Sequence, residues 1–282
     1  MTYIINDVTP SNIISKKEVI KEIYSKYGVC IMPGFLSDDK DFLEFKNELR
    51  ILLDQICSKK SSECLPDELG DKLTEFLKIC PEDGKIVTDL GTQPNKFSSF
   101  NRIKYADYLG DIIKLLLGPN PLVASPAAGD TLHFFGPGKS FRRYNLPPHQ
   151  DYQYLMQSPS QITCYLGISD YKKDVGGLKF WSKSNELGIL PCEKNENESF
   201  CVSNHEELLK EYEENDFHWN SGDFGIFDSL LVHSSIPNYS ENSGRIVQIF
   251  RFSDLNNDVS RGYDFQSTYY KRRSIDFDDY HK

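Results

Sequence analysis

The sequence predicts an α+β fold, with helices first and a double-sheet jelly roll after them. Two textures, with one change between them, carry that prediction. The first ~120 residues place apolar side chains at helical spacing, whereas from Leu122 onward short β-branched and aromatic runs alternate with Gly, Pro, Asn and Ser. At 282 residues, 39% of them hydrophobic, the chain is long enough for one large domain with a sizeable core. The expected partition is a helical part over 1–120, a jelly-roll core over 121–255 and a C-terminal tail over 256–282.

Helical periodicity runs through Lys16–Lys26, Phe42–Cys57, Lys72–Cys80 and Tyr105–Leu117. Gly28, Pro81 with Gly84, and the run Gly118-Pro119-Asn120-Pro121 supply the stops. Strands are expected at Leu122–Ala124, Thr131–Phe135, Pro148–Tyr154, Ile162–Ile168, Leu178–Trp181, Asp223–Phe227 and Arg245–Phe252. Two long polar stretches interrupt them, Gly136–Leu146 and Cys192–Asn220, the second with a short helix expected at Glu206–Glu213. Loops of that length inside a compact domain are usually either functional lids or disordered, and the position of both beside the candidate site in sequence favours lids. The tail Asn256–Lys282 shows no clear period, and the chain contains no internal repeat.

A net charge of −10 and a pI near 5.1 argue against nucleic acid as a partner, because phosphate binding needs a basic surface. Polyanionic substrates are mildly disfavoured by the same field. The seven cysteines form an odd set without CxxC spacing, and the first twenty residues hold no apolar core of the kind a secretory signal requires. Free thiols and a cytoplasmic location are the expectation. No apolar run approaches the ~18 residues needed to span a bilayer, so no membrane partner is expected.

Chemistry concentrates at His149-Gln150-Asp151, followed far downstream by His233 and then Arg245. Two imidazoles and one carboxylate suit a non-haem Fe(II) that keeps coordination positions open for a cosubstrate and dioxygen. The tripeptide alone is weak: six histidines and 24 aspartates in this chain give about 0.5 accidental His-x-Asp matches. In an extended strand, however, His149 and Asp151 would point to one side and Gln150 to the other. His233 follows the strand-like run Asp223–Asp228. Arg245 opens another strand after the turn segment Pro237–Gly244, and a hairpin would return that strand beside His233. Arg251 shares Arg245's strand parity and is its rival. His133 lies on an expected strand and could line the pocket. Arg142 and Arg143 read more simply as a solvated charge pair than as a substrate site.

With these residues in register, the chain resembles the phytanoyl-CoA dioxygenase (PhyH) family of Fe(II)/2-oxoglutarate-dependent oxygenases, from about Val19 to Asp254. Tyr27–Leu36 looks like the family's opening strand and turn, with an amphipathic helix after it at Asp38–Cys57. Tyr165–Asp170 and Gly176-Gly177-Leu178 match further family segments. Tyr165 stands where the family commonly has Trp, and Ser182-Lys183-Ser184-Asn185 replaces a usual Pro-Gly-Ser/Thr-His turn; both departures bear on the substrate rather than on the metal chemistry.

The resemblance implies a double-stranded β-helix, cupin-like, and a metal triad of His149, Asp151 and His233. It implies Fe(II), the cosubstrate 2-oxoglutarate and dioxygen, with Arg245 clamping the distal carboxylate of 2-oxoglutarate through two parallel hydrogen bonds. Ser235, Tyr165 and Thr131 match positions that line the cosubstrate pocket. The implied reaction hydroxylates an unactivated C–H bond of a small biosynthetic metabolite and releases succinate and CO2. Halogenating relatives carry a small residue in place of the carboxylate ligand, so Asp151 argues for hydroxylation or a related oxidation. Two alternatives stand beside this one: a cupin-type metalloenzyme such as an isomerase or ring-cleaving dioxygenase, which would need neither Arg245 nor Ser235, and a non-catalytic binding protein on the same fold.

Overall fold

The structure is a computed structural model that describes residues 3–60, 64–81, 90–91, 93–119, 121–123, 130–137, 145–155, 158–172, 174–195 and 199–254, with 121–123 and 155 as backbone only. Its first half supplies a layer of helices. Helix α1 (Lys17–Tyr27) ends at Gly28, whose left-handed φ of 73° lets its N–H cap the Tyr24 carbonyl. Helix α2 (Lys40–Ser58) begins where the Asp39 carboxylate accepts the Phe42 N–H at 3.0 Å. It buries Phe42, Phe45, Leu49, Leu53 and Cys57, one stripe at helical spacing. Helices α3 (Leu69–Ile79), α4 (Ser98–Lys104) and α5 (Asp107–Leu117) complete the layer.

The strands form two antiparallel sheets that face each other. The larger runs β1 (Val29–Met32), β9 (Phe224–Asp228), β4 (Gln161–Gly167), β11 (Arg245–Asp254) and β2 (Pro121–Val123), with β3 (Thr131–Phe135) also paired to β11. The smaller runs β10 (His233–Ile236), β5 (Gly177–Trp181) and β8 (Glu214–Phe217), and β6 (Cys192–Lys194) pairs with β7 (Phe200–Val202) in a separate hairpin. Alternation gives the large sheet two different faces. Cys164, Leu166, Ile226, Ile246 and Phe250 pack outward under the helices, in one cluster with Phe42, Phe45, Phe76 and Ile112. Tyr165, Phe227, Val247 and Ile249 face inward and meet Leu178 and Phe180 of the small sheet. This is the expected jelly roll with helices on one side of it.

Several local expectations are corrected. Pro148–Tyr154 is not a strand: His149 makes a single antiparallel bridge with His233, after which Tyr152–Leu155 turns into a helical segment, α6. The backbone is diverted there because the Gln153 and Tyr154 N–H groups bond back to Gln150 and Asp151. β10 and β11 are not a hairpin. Arg245 pairs with Phe135 in the large sheet while His233 pairs with Phe180 in the small one, so the Pro237–Gly244 connection crosses between sheets. Cys192–Asn220 is no simple loop, since it contains β6, β7 and β8 and, among its described residues, one helical turn, α7 (His205–Leu208), where a helix over Glu206–Glu213 is expected. The expected helix at Tyr105–Leu117 starts at Asp107, and α4 precedes it. Most of Gly136–Leu146, with Arg142 and Arg143, and the tail Asn256–Lys282 lie outside the described residues.

Candidate active site

His149, Asp151 and His233 converge where the segment before α6 bridges β10. One donor atom from each lies within 4.8 Å of the others, and all three residues are buried. Asp151 Oδ1 is 3.9 Å from His149 Nε2 and 3.8 Å from His233 Nε2. Each imidazole is oriented by its own backbone: His149 Nδ1–H donates to the Pro147 carbonyl at 2.7 Å, and His233 Nδ1–H to the Leu231 carbonyl at 3.0 Å. A carbonyl only accepts, so these bonds set the tautomer and leave both Nε2 lone pairs facing the cluster. Burial, joined by the neighbouring His233, lowers the His149 pKa to about 3, which keeps the ring neutral. The effect of burial on Asp151 is to raise its pKa, but Arg251, the two imidazoles and the Thr163 hydroxyl outweigh it and hold the carboxyl well below its usual range. Two imidazole nitrogens and one carboxylate oxygen make a facial donor set that fits Fe(II).

Arg245 lies on the inner face of β11 and is 0% exposed. Its guanidinium carbon is 4.1 Å from the centre of the Phe135 ring, and Nη2 donates to the Gly177 carbonyl at 3.2 Å. Nε and Nη1 are buried with no partner. Burial lowers this pKa to about 10, still charged at neutral pH. Two orphaned donors on a buried cation mark a place for an anion, since leaving them unmade costs free energy, and a carboxylate matches the guanidinium edge. The cosubstrate 2-oxoglutarate fits that requirement. Tyr165 lies on the inner face of β4: burial pushes its phenol up to about 12, Arg245 opposes that rise, and Asp151 adds to it.

The other expected residues fall into place unevenly. Ser235 follows His233 on the same face of β10, its Oγ accepting the Leu146 N–H at 3.1 Å. Thr131 shares the inner face of β3 with His133, and their side chains are hydrogen-bonded at 2.8 Å. Gln150 turns away from the site and is 0% exposed. Its amide donates to the Gly188 and Leu230 carbonyls and accepts the Leu190 N–H, pinning three loop segments. Arg251, the rival to Arg245, meets Asp151 instead, with Nη2 3.1 Å from Oδ1.

Sequence reasoning passes over Thr163, which donates to Asp151, and Trp219, which stacks on Tyr165 with ring centres 5.0 Å apart. A signal for Thr163 exists in strand parity, since it sits two residues before Tyr165. Trp219 has no such signal, because the backbone reaches the cavity there only after β8.

Residues 24–247 match the model of the family described as phytanoyl-CoA dioxygenase (PhyH). The chain belongs to the PhyH family. Its members are Fe(II)/2-oxoglutarate-dependent oxygenase-type enzymes that use Fe(II), 2-oxoglutarate and dioxygen. Among solved structures, the PhyH chain resembles the epimerase SnoN, determined with Fe3+, alpha ketoglutarate and nogalamycin RO, with a TM-score of 0.60 and 13% identity over 89% of each chain. The carbocyclase SnoK from nogalamycin biosynthesis aligns with a TM-score of 0.51 and 14% identity over 82% of this chain and 81% of that one. The non-heme monooxygenase ThoJ aligns with a TM-score of 0.50 and 16% identity over 83% and 76%. At these identities the likeness is one of fold. No curated protein matches the chain. Among the described residues, no helix is long and apolar enough to cross a membrane.

Proposed function

We propose that this PhyH chain is a hydroxylase of a small biosynthetic metabolite, folded as one catalytic domain, with His149, Asp151 and His233 holding Fe(II) and Arg245 holding 2-oxoglutarate. The observation that carries the reading is the pairing of a buried His/Asp/His cluster with a buried arginine that has two unmade hydrogen bonds. An isomerase or ring-cleaving cupin has no use for that arginine. Bound together, iron and 2-oxoglutarate supply the oxidation of a C–H bond by dioxygen, with succinate and CO2 as coproducts.

The chain's own groups then have separable tasks. His149 and His233 each present Nε2, and Asp151 supplies one negative charge, so three protein positions are filled and the rest stay open. Arg245 orients the cosubstrate by its far carboxylate, Tyr165 and Ser235 line the same cavity, and Thr131 closes it from β3. Phe135, Trp219 and Phe227 surround these polar groups with apolar surface that excludes water and strengthens each charge interaction. Asp151 fills the position that halogenating enzymes leave to chloride, which supports oxygen insertion.

The test is substrate-dependent succinate release from the purified protein given Fe(II), 2-oxoglutarate and pooled metabolites, followed by mass analysis of the consumed compound. A product heavier by one oxygen atom is expected. A product of unchanged mass would replace hydroxylation by epimerisation, and one lighter by two hydrogens by desaturation or ring closure.

A further inference from the structure

Asp151 is gripped by two residues that the metal triad does not include. Thr163 Oγ1 donates to its Oδ2 at 2.5 Å, and Arg251 Nη2 meets its Oδ1 at 3.1 Å. Arg251 and Thr163 are register partners across β11 and β4, so their side chains rise together from the inner face of the large sheet. The grip is dry: Asp151 is 5% exposed, Thr163 2% and Arg251 7%. Arg251 has a second buried carboxylate near it, since its charge helps to counter the rise that burial gives the pKa of Asp130, which is paired with buried Lys104 of α4.

We propose that Thr163 and Arg251 are positioning residues that hold Asp151 as a one-oxygen metal ligand. The inference rests on the reading of His149, Asp151 and His233 as the iron site. An ionised carboxylate has two oxygens, each with two accepting directions. Oδ1 is the oxygen that lies 3.9 and 3.8 Å from the two Nε2 atoms, and it keeps one direction for them while Arg251 takes another. Oδ2 is committed to Thr163. Chelation through both oxygens would require Oδ2 to leave that hydroxyl, and it would consume a coordination position that the facial site needs open. The sheet register thereby limits how many positions the carboxylate occupies.

Co(II), which reports coordination through its visible absorption without turnover, is the probe. Its affinity and spectrum are to be measured for the wild type, Thr163→Val, Thr163→Ser, Arg251→Met and Arg251→Lys, with Asp151→Ala as control and thermal unfolding as the check on folding. Removing a group that orients a metal ligand costs about 10–100-fold in affinity. Thr163→Val is expected to lose that much and to shift the absorption bands, Thr163→Ser to restore both, and Arg251→Lys to keep more affinity than Arg251→Met. If Arg251→Met does not fold, the near-isosteric Thr163→Val and its Ser counterpart decide the matter. Wild-type affinity and spectrum in Thr163→Val would overturn the clamp. Wild-type Co(II) binding in Asp151→Ala would instead overturn the ligand assignment beneath it.

Discussion

Arg245 and Arg251 share one strand face, and their surroundings separate their chemistry. Arg251 has the Asp151 carboxylate against it, whereas Arg245 has an aromatic face, one carbonyl and two unmade bonds. Arg245→Ala should therefore weaken 2-oxoglutarate binding by about 2–5 kcal/mol, the usual loss when one partner of a buried charge pair is removed. Co(II) affinity should stay within a few-fold, and calorimetric titration with each ligand checks both; unchanged 2-oxoglutarate binding would sink the assignment. Parity along β11 makes both arginines legible in the sequence, but their division of labour is not, because it depends on which strand lies opposite. Asp228 makes a second case. Burial raises its pKa to about 6, although the Leu230 N–H and the Asn185 amide pull the other way. The folded pKa exceeds the unfolded value of about 3.9, so the native state binds this proton more tightly. That contribution to stability is full below about pH 4 and is lost as pH rises through 6. Asp228→Asn, which cannot ionise, should stabilise the protein by about 1–3 kcal/mol at pH 7 and flatten this part of the profile, read from urea midpoints between pH 4 and 7. The buried, unpartnered Asn185 Oδ1 can accept from the new amide once Asn185 flips.

Strand β9 leaves room through glycine for the aromatic cluster between the sheets. A Cβ on Gly225 would lie 2.4 Å from Trp219 Cη2 and 2.7 Å from Phe227 Cε2, so Trp219 can stack on Tyr165 only because the strand is bare at that point. Gly225→Ala should cost about 1–3 kcal/mol by overpacking, and it should displace the indole. A lowered thermal midpoint together with altered tryptophan fluorescence is the expected result; an unchanged midpoint would show that the ring yields freely. The His149 segment carries the opposite lesson about elements. Its alternation reads as a strand, yet only His149 bridges β10 before the chain turns at Asp151. Local pattern could not reveal this, because the turn is held by Gln150 reaching Gly188, Leu190 and Leu230, contacts far away in sequence.

Across the molecule, the site is assembled from both sheets: His233 from the small one, Arg245, Thr163 and Tyr165 from the large one, and His149 with Asp151 from the segment that joins the edge. A metal that grips such parts binds the folded chain and not the unfolded one. At about 100 times its dissociation constant, Co(II) should add about 2.7 kcal/mol to stability. Thermal unfolding with and without Co(II) should show that rise in the wild type and its loss in Asp151→Ala; an equal rise in both would place the metal elsewhere. The buried Lys104–Asp130 pair extends the coupling, since it ties α4 to the residue just before β3.

The sequence by itself determined the order of textures, the jelly roll that follows from it, and the residue types of the metal set, because period, turn chemistry and ligand preference are local properties. It also placed His149, Asp151 and His233 together through the spacing of a family pattern. Tertiary structure alone decided that β10 and β11 belong to opposite sheets, that Gln150 is a tether, and that Arg251 and Thr163 grip Asp151 while Arg245 keeps two donors unmade. Those outcomes depend on which strand pairs with which and on what lies across the cavity, and pairing between distant strands is set by the closure of the whole core rather than by any one run of residues.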